Sequence, residues 1–296
     1  MKTFRNTIIL FIVFAALLGF YYYNKSTKKP TATANVVSIS KSNIESIDIK
    51  SNNNEVTLKK SSGNYELVKP INYKADSINA DDTLNSLTQL KYSRKFSDSD
   101  LKKYGLDNTS FTIKIASNKG ETENIIIGNK SPVGNAYYVK SSKSPDIYIV
   151  DANSVEKFLL SGDYVFNYID KGIFTIPKDK IAKITYINSS GTHDIQKDKS
   201  GKWKYNGKEI NKDTTDKLLD DVVLLNASGL DLNKKAKGNN SSFTLTISDG
   251  NKSEEVKFLT DDNSKYYIEK NNENIGLYIT KDQLNGLISD TNSAIK

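Results

Sequence analysis

Apolar and polar residues alternate along most of the chain with the period of two that marks half-buried strands. Ile44-Glu45-Ser46-Ile47-Asp48-Ile49 alternates strictly, Asn52-Asn53-Asn54 turns the chain, and Val56-Thr57-Leu58 alternates again. Ser62-Gly63-Asn64 then turns into Tyr65-Glu66-Leu67-Val68, which completes a three-stranded meander. The period next changes to a helical one. Leu84, Leu87 and Leu90 form a one-sided stripe, with Asp81 or Asp82 as the cap. A strand over 92–96 and an irregular stretch over 97–107 lead to four more strands at 111–115, 123–127, 136–139 and 147–150, and Asp151 or Asn153 caps a helix running to Leu160.

The same order then recurs. Strands are expected at 181–187, 193–196 and 201–205, followed by a helix capped by Asn211 or Asp213 that carries Leu218, Leu219, Val222 and Val223. Strands at 243–247, 255–259, 266–268 and 277–279 precede a closing helix from Lys281. The repetition extends to residues: Phe111-Thr112-Ile113 returns as Phe243-Thr244-Leu245, Tyr137-Tyr138-Val139 as Tyr266-Tyr267-Ile268, Ile147-Tyr148-Ile149 as Leu277-Tyr278-Ile279, and Ser62-Gly63-Asn64-Tyr65 as Ser200-Gly201-Lys202-Trp203. Four matches in one order predict two tandem copies of a single unit. Consecutive hairpin-sized strands with segregated helices predict an α+β class built on mostly antiparallel sheets. The organisation expected is an N-terminal transmembrane signal anchor (1–23), a flexible stalk (24–43), the first copy (44–160), a connector (161–180) whose Tyr164, Phe166 and Tyr168 pack rather than float, and a divergent second copy (181–296).

The anchor rests on residues 6–24, nineteen positions without a charge. As a helix they rise about 28 Å, enough to cross the hydrocarbon layer. Lys2 and Arg5 precede them and Tyr21-Tyr22-Tyr23 sit where an interfacial aromatic belt belongs. The expected placement is a single pass through the cell membrane, with the N-terminus cytoplasmic and the rest extracytoplasmic. The competing reading is a signal peptide cleaved near Ala34, at the small-residue site Ala32-Thr33-Ala34.

Charge narrows the partners. Of the net +7, residues 1–29 supply +5, and the remainder, with 37 basic and 35 acidic residues, is close to neutral. That lacks the footprint of a nucleic-acid binder. Arg94 is the only arginine beyond Arg5, so bidentate phosphate recognition is poorly supplied. There is no cysteine, which excludes disulfides, thiolate metal sites and a Cys nucleophile. His193, the sole histidine, reads as a surface residue, and no metal or cofactor is expected. The acidic pairs Asp98/Asp100, Asp220/Asp221 and Asp261/Asp262 lack calcium-loop spacing and read as solvated charge. No serine or lysine stands in a recognisable nucleophile motif, so the chain is not expected to be an enzyme.

The two copies differ most in their loops, where binding tends to live. The first copy alone carries Tyr104-Gly105-Leu106-Asp107 and a Gly128, Pro132, Gly134 loop ahead of Tyr137 and Tyr138. These nine residues are the candidate partner-binding positions. With Ile127-Gly128-Asn129-Lys130 and Tyr148-Ile149-Val150 they resemble the bacterial domain-of-unknown-function family 4340, clearly over 44–160 and more weakly over 175–290. The resemblance implies a membrane-anchored envelope protein associated with ABC-type export or gliding-motility components, and it brings no catalytic residues. The expected function is a non-enzymatic, membrane-tethered adaptor. It holds the bilayer through 6–24 and binds another envelope protein or transporter component. The alternatives are a cell-wall or glycan-binding module using exposed tyrosines, and a hydrolase whose serine, lysine and acid converge in one pocket.

Overall fold

A computed structural model of the chain describes residues 13–20, 34–108, 110–233, 241–260 and 264–296. Within them the chain builds two antiparallel sheets of nine strands each. The first comprises β1 (Ile44–Ser51), β2 (Asn54–Ser61), β3 (Asn64–Lys69), β4 (Tyr73–Lys74), β5 (Tyr92–Phe96), β6 (Phe111–Ser117), β7 (Thr122–Lys130), β8 (Ala136–Ser141) and β9 (Ile147–Asp151). Its spatial order is β4-β3-β2-β1-β6-β7-β8-β9-β5. The second comprises β10 (Lys183–Asn188), β11 (Gly191–Lys197), β12 (Trp203–Tyr205), β13 (Lys208–Glu209), β14 (Gly229–Leu230), β15 (Ser241–Ser248), β16 (Ser253–Leu259), β17 (Lys265–Lys270) and β18 (Leu277–Thr280). Its order, β13-β12-β11-β10-β15-β16-β17-β18-β14, is that of the first sheet with nine added to each strand number. The recurrence of residues is therefore a recurrence of topology.

Alternation explains the cores. Ile47, Ile49, Val56, Leu58, Ile113 and Ile115 are fully buried in the first sheet, as are Ile184, Tyr186, Ile195, Leu245, Ile247 and Val256 in the second. In each copy a helix intervenes between the fourth and fifth strands, so the fifth lands at the far edge. The first, α1 (Ser77–Thr88), starts earlier than the leucine stripe indicates. Its cap is Asp76, whose carboxylate accepts from the N–H groups of Ile78 (2.9 Å) and Asn79 (3.0 Å), rather than Asp81 or Asp82. Helix α2 (Ala152–Glu156), capped by Asp151, stops short of Leu160. The connector contains α3 (Tyr164–Tyr168). Helices α4 (Lys212–Val223), capped by Asn211, and α5 (Lys281–Ala294), closed by a Thr280–Gln283 capping box, follow the expectation.

The chain divides into two compact units. One holds the described residues up to Lys60 with Asp81–Leu160, and the other holds Ser61–Ala80 with Ser161–Lys296. The excursion 61–80 belongs to the second unit because its backbone is hydrogen-bonded there. Asp76 N–H donates to the Tyr168 carbonyl (2.8 Å), Asp170 N–H donates to the Lys74 carbonyl (2.9 Å), and Lys74 pairs with Asp170. Among the described residues no helix is long and apolar enough to cross a membrane. Most of the expected span 6–24 lies outside the described residues, which cover 13–20 as helix.

Candidate functional site

The Tyr-Gly-Leu element is a tight turn whose shape needs glycine. Leu101–Tyr104 winds as a 3-10 helix, and Gly105 ends it in the left-handed region at φ 68°. Leu106 then donates back to the Leu101 carbonyl (3.0 Å), and Tyr104 and Leu106 turn inward beside Ile147. The turn lies directly on β7 at Gly128. A Cβ there would sit 2.2 Å from the Tyr104 carbonyl oxygen and 3.0 Å from Leu106 Cδ2. A Cβ on Gly105 would meet the Asn129 side chain at 2.5 Å. The two motifs are thus the two halves of one contact, which explains why they occur together. Gly105→Ala is expected to cost about 1 kcal/mol in urea unfolding, because the left-handed strain is modest and the exposed Asn129 side chain can swing aside.

Above this contact Phe96, Tyr104 and Tyr138 meet edge to face, with ring centroids 5.3, 4.8 and 6.3 Å apart. They floor a shallow depression of about 440 Å³ with Ile149, and Arg94 and Lys103 stand at its rim. Tyr104 donates its hydroxyl to Asp98 (2.6 Å). That bond, with the Asp100 N–H, holds the Asp98 carboxyl below the usual carboxylate range. Lys103 lies 5.3 Å over the Tyr104 ring, and its contact with the Tyr104 hydroxyl raises its ammonium above the ordinary lysine value. The Arg94 guanidinium has no ion-pair or hydrogen-bond partner among the described residues. Lys103 also pairs with Asp98 at 4.0 Å, so the cation left over the aromatic floor is Arg94, which suits a partner presenting an acidic and an apolar side chain together.

The nine candidate positions divide. Tyr104, Gly105, Leu106, Gly128 and Tyr138 come together, whereas Asp107 is simply exposed. Tyr137, next to Tyr138 on β8, points to the opposite face of the sheet. There it donates to Glu156 (3.2 Å), which also takes Lys130 (2.8 Å). The two tyrosines therefore offer no common platform for a sugar ring. Pro132 and Gly134 sit on an exposed hairpin tip around Val133, which is 82% exposed. Arg94, Phe96 and Lys103 were outside the candidate set. The isolation of Arg94 in a lysine-rich chain was the one signal that could have found them.

Two buried carboxylates also escaped the sequence pattern. Glu123, second residue of β7, accepts from Ser38 N–H (2.9 Å) and Oγ (2.8 Å), Ile39 N–H (3.3 Å) and Ser141 Oγ (2.6 Å). Glu254, second residue of β16, accepts from Thr175 N–H (2.8 Å) and Oγ1, Lys252 Nζ (2.5 Å) and Lys270 Nζ (3.1 Å). Each clamps the segment that leads into the first strand of its copy, so both are structural.

Asp100 is exposed, and Asp220 and Asp221 are partly exposed charges that carry surface ion pairs. Asp220 pairs with Lys178 (2.5 Å), and Asp221 pairs with Lys217 (2.9 Å), which also holds Asp290 of α5. Burial and the neighbouring Asp221 carboxylate push the Asp290 carboxyl up. Asp261 and Asp262 lie outside the described residues. A depression of about 400 Å³ joins Lys217, Asp221 and Asp290 to Ser289. The hydrogen bond to Asp290 holds the Lys217 ammonium above the ordinary lysine value. His193 departs from expectation. It is half-buried and stacked on Tyr186 at 4.7 Å, with its Nδ1 2.9 Å from the Tyr205 hydroxyl.

Comparison with known families resolves the resemblance. The model described as "Domain of unknown function (DUF4340)" matches residues 65–242. The chain belongs to the DUF4340 family. The match runs from the start of β3 to the start of β15, so it spans parts of both copies rather than the first alone. Curated proteins and solved structures show no match.

Proposed function

We propose that this DUF4340 protein is a membrane-tethered, extracytoplasmic adaptor that docks on another envelope protein, a component of an ABC-type transport complex. The observation that carries the reading is the helix over 13–20. Its Val13, Phe14, Leu17, Leu18 and Phe20 expose between 42% and 65% of their surface. Burying such a side chain is worth about 1.5–3 kcal/mol, so five on one short helix favour a lipid surround strongly. The flanking Lys2 and Arg5 support an N-terminus on the cytoplasmic side. The docking surface we assign is the depression of Arg94, Lys103, Tyr104 and Tyr138, where an unpaired guanidinium stands beside an aromatic floor.

Two measurements test this. The full chain is expected to stay in the membrane pellet through alkaline carbonate extraction, and release into the supernatant refutes the tether. From detergent-solubilised, cross-linked membranes the chain is expected to co-purify with a second envelope protein, and Arg94→Glu is expected to lose at least about tenfold of that yield. A chain that elutes alone, or a yield untouched by Arg94→Glu, removes the docking assignment.

A further inference from the structure

The second unit holds a separate concavity of about 680 Å³ between α4, the strands β11 to β13 and the turn at Lys178. This volume falls within the range of small-molecule sites. Its floor is apolar: Trp203, Ile210 and Leu219, with Trp203 and Leu219 already buried against the core. Trp203 is the only tryptophan in the chain.

The rim carries four lysines and the carboxylates of Asp179, Glu209 and Asp216; Asp179 is taken by Lys180 (3.5 Å), and the four lysines are not equivalent. Lys178 is neutralised by Asp220 (2.5 Å), Lys202 by Glu209 (2.8 Å) and Lys212 by Asp216 (2.6 Å). Lys197 has no carboxylate partner among the described residues. Its Nζ lies 5.1 Å over the Trp203 ring. The site thus places one uncompensated ammonium over an aromatic face at the wall of an apolar cavity. A lysine is a compact point charge rather than a bidentate fork, so a single carboxylate matches it better than a planar array of anionic oxygens. Beyond that carboxylate the cavity accepts an apolar body against Trp203, Ile210 and Leu219.

We infer that this cavity binds a small monocarboxylate with an apolar or aromatic body, its carboxylate on Lys197 and its body on the Trp203 floor. The site is independent of the adaptor reading, because its residues lie outside the Arg94 depression.

The single tryptophan makes the test direct. Indole emission of the full chain in a non-ionic detergent, excited at the red edge where tyrosine is silent, is titrated with 4-phenylbutyrate and with its neutral analogue 4-phenylbutan-1-ol. The acid is expected to change Trp203 emission saturably and to bind about tenfold tighter than the alcohol. Lys197→Met, which keeps the alkyl stem over the ring, is expected to bring the two probes within about twofold of each other. Lys202→Met, at a lysine already paired, is expected to leave the preference for the acid intact. Circular dichroism confirms that both variants fold. The assignment is overturned by an absent response to the acid, by equal binding of both probes to the native chain, or by equal losses in the two variants.

Discussion

Gly128→Ala is expected to destabilise the protein by about 3 kcal/mol, at the upper end of what overpacking costs. The new methyl would stand 2.2 Å from the Tyr104 carbonyl oxygen, and that oxygen belongs to a turn pinned at both ends. On one side Gly105 is held by the Leu101 and Lys102 carbonyls, and on the other the Tyr104 hydroxyl is held by Asp98. Neither side has a flexible tip that could yield, in contrast to the Asn129 side chain over Gly105. Relief requires lifting the turn off β7, which also separates Tyr104 from Phe96 and Tyr138. Differential unfolding in urea measures the loss, with a fall in melting temperature of roughly 6–12 °C. The near-ultraviolet tyrosine signal should weaken while Trp203 emission, from the other unit, stays native. A variant within about 1 kcal/mol of the parent would mean that the turn and strand do not bear on each other as described.

Glu254 sets the largest pH effect expected of a buried group. It is 3% exposed, and burial alone would push its carboxyl upward. Hydrogen bonds from Lys252, Thr175 and Lys270 outweigh that burial and bring it down to about 2, from an ordinary 4.5. The folded state therefore prefers the ionised form more strongly than the unfolded chain does. The stabilisation is present in full above pH 4.5 and is lost as pH falls from 4.5 towards 2. The shift corresponds to roughly 3 kcal/mol. Glu254→Gln removes this titration, so the stability gap between parent and variant is expected to be widest near neutrality and to close across that window. Parallel acid-unfolding curves for the two proteins would contradict it. Glu254→Ala is expected to cost about 3–5 kcal/mol at neutral pH, because the lysine ammoniums and the Thr175 N–H lose their acceptor.

Much of the fold was legible because strand periodicity is a local property. Alternation at Ile47, Ile49, Val56 and Leu58 placed β1 and β2, and the recurring segments anticipated the doubling of topology. The elements that were missed have weak local signals. The two-residue strands β4, β13 and β14 are too short to show a period, and the Asp76 cap lies eight residues ahead of Leu84, where the leucine stripe begins. Glu123 and Glu254 read as ordinary charges on alternating strands. Only their partners, far away in sequence at Ser38, Ile39 and Thr175, make them interior groups.

The candidate site was half legible for the same reason. Tyr104, Gly105 and Gly128 stood out as turn chemistry, yet turn chemistry does not say what a turn rests on. Packing made them structural and left Arg94, Lys103 and Tyr138 to face outward. By itself, then, the sequence determined the strand-rich class, the two copies and the family likeness, since all three depend on residue order and local period. The tertiary structure alone decided which charges are neutralised and which stand free. Among the described residues Arg94 and Lys197 differ from paired neighbours such as Lys95, Lys178 and Lys202 by the absence of a carboxylate within reach, and that distance is set by how separate segments of the chain come together.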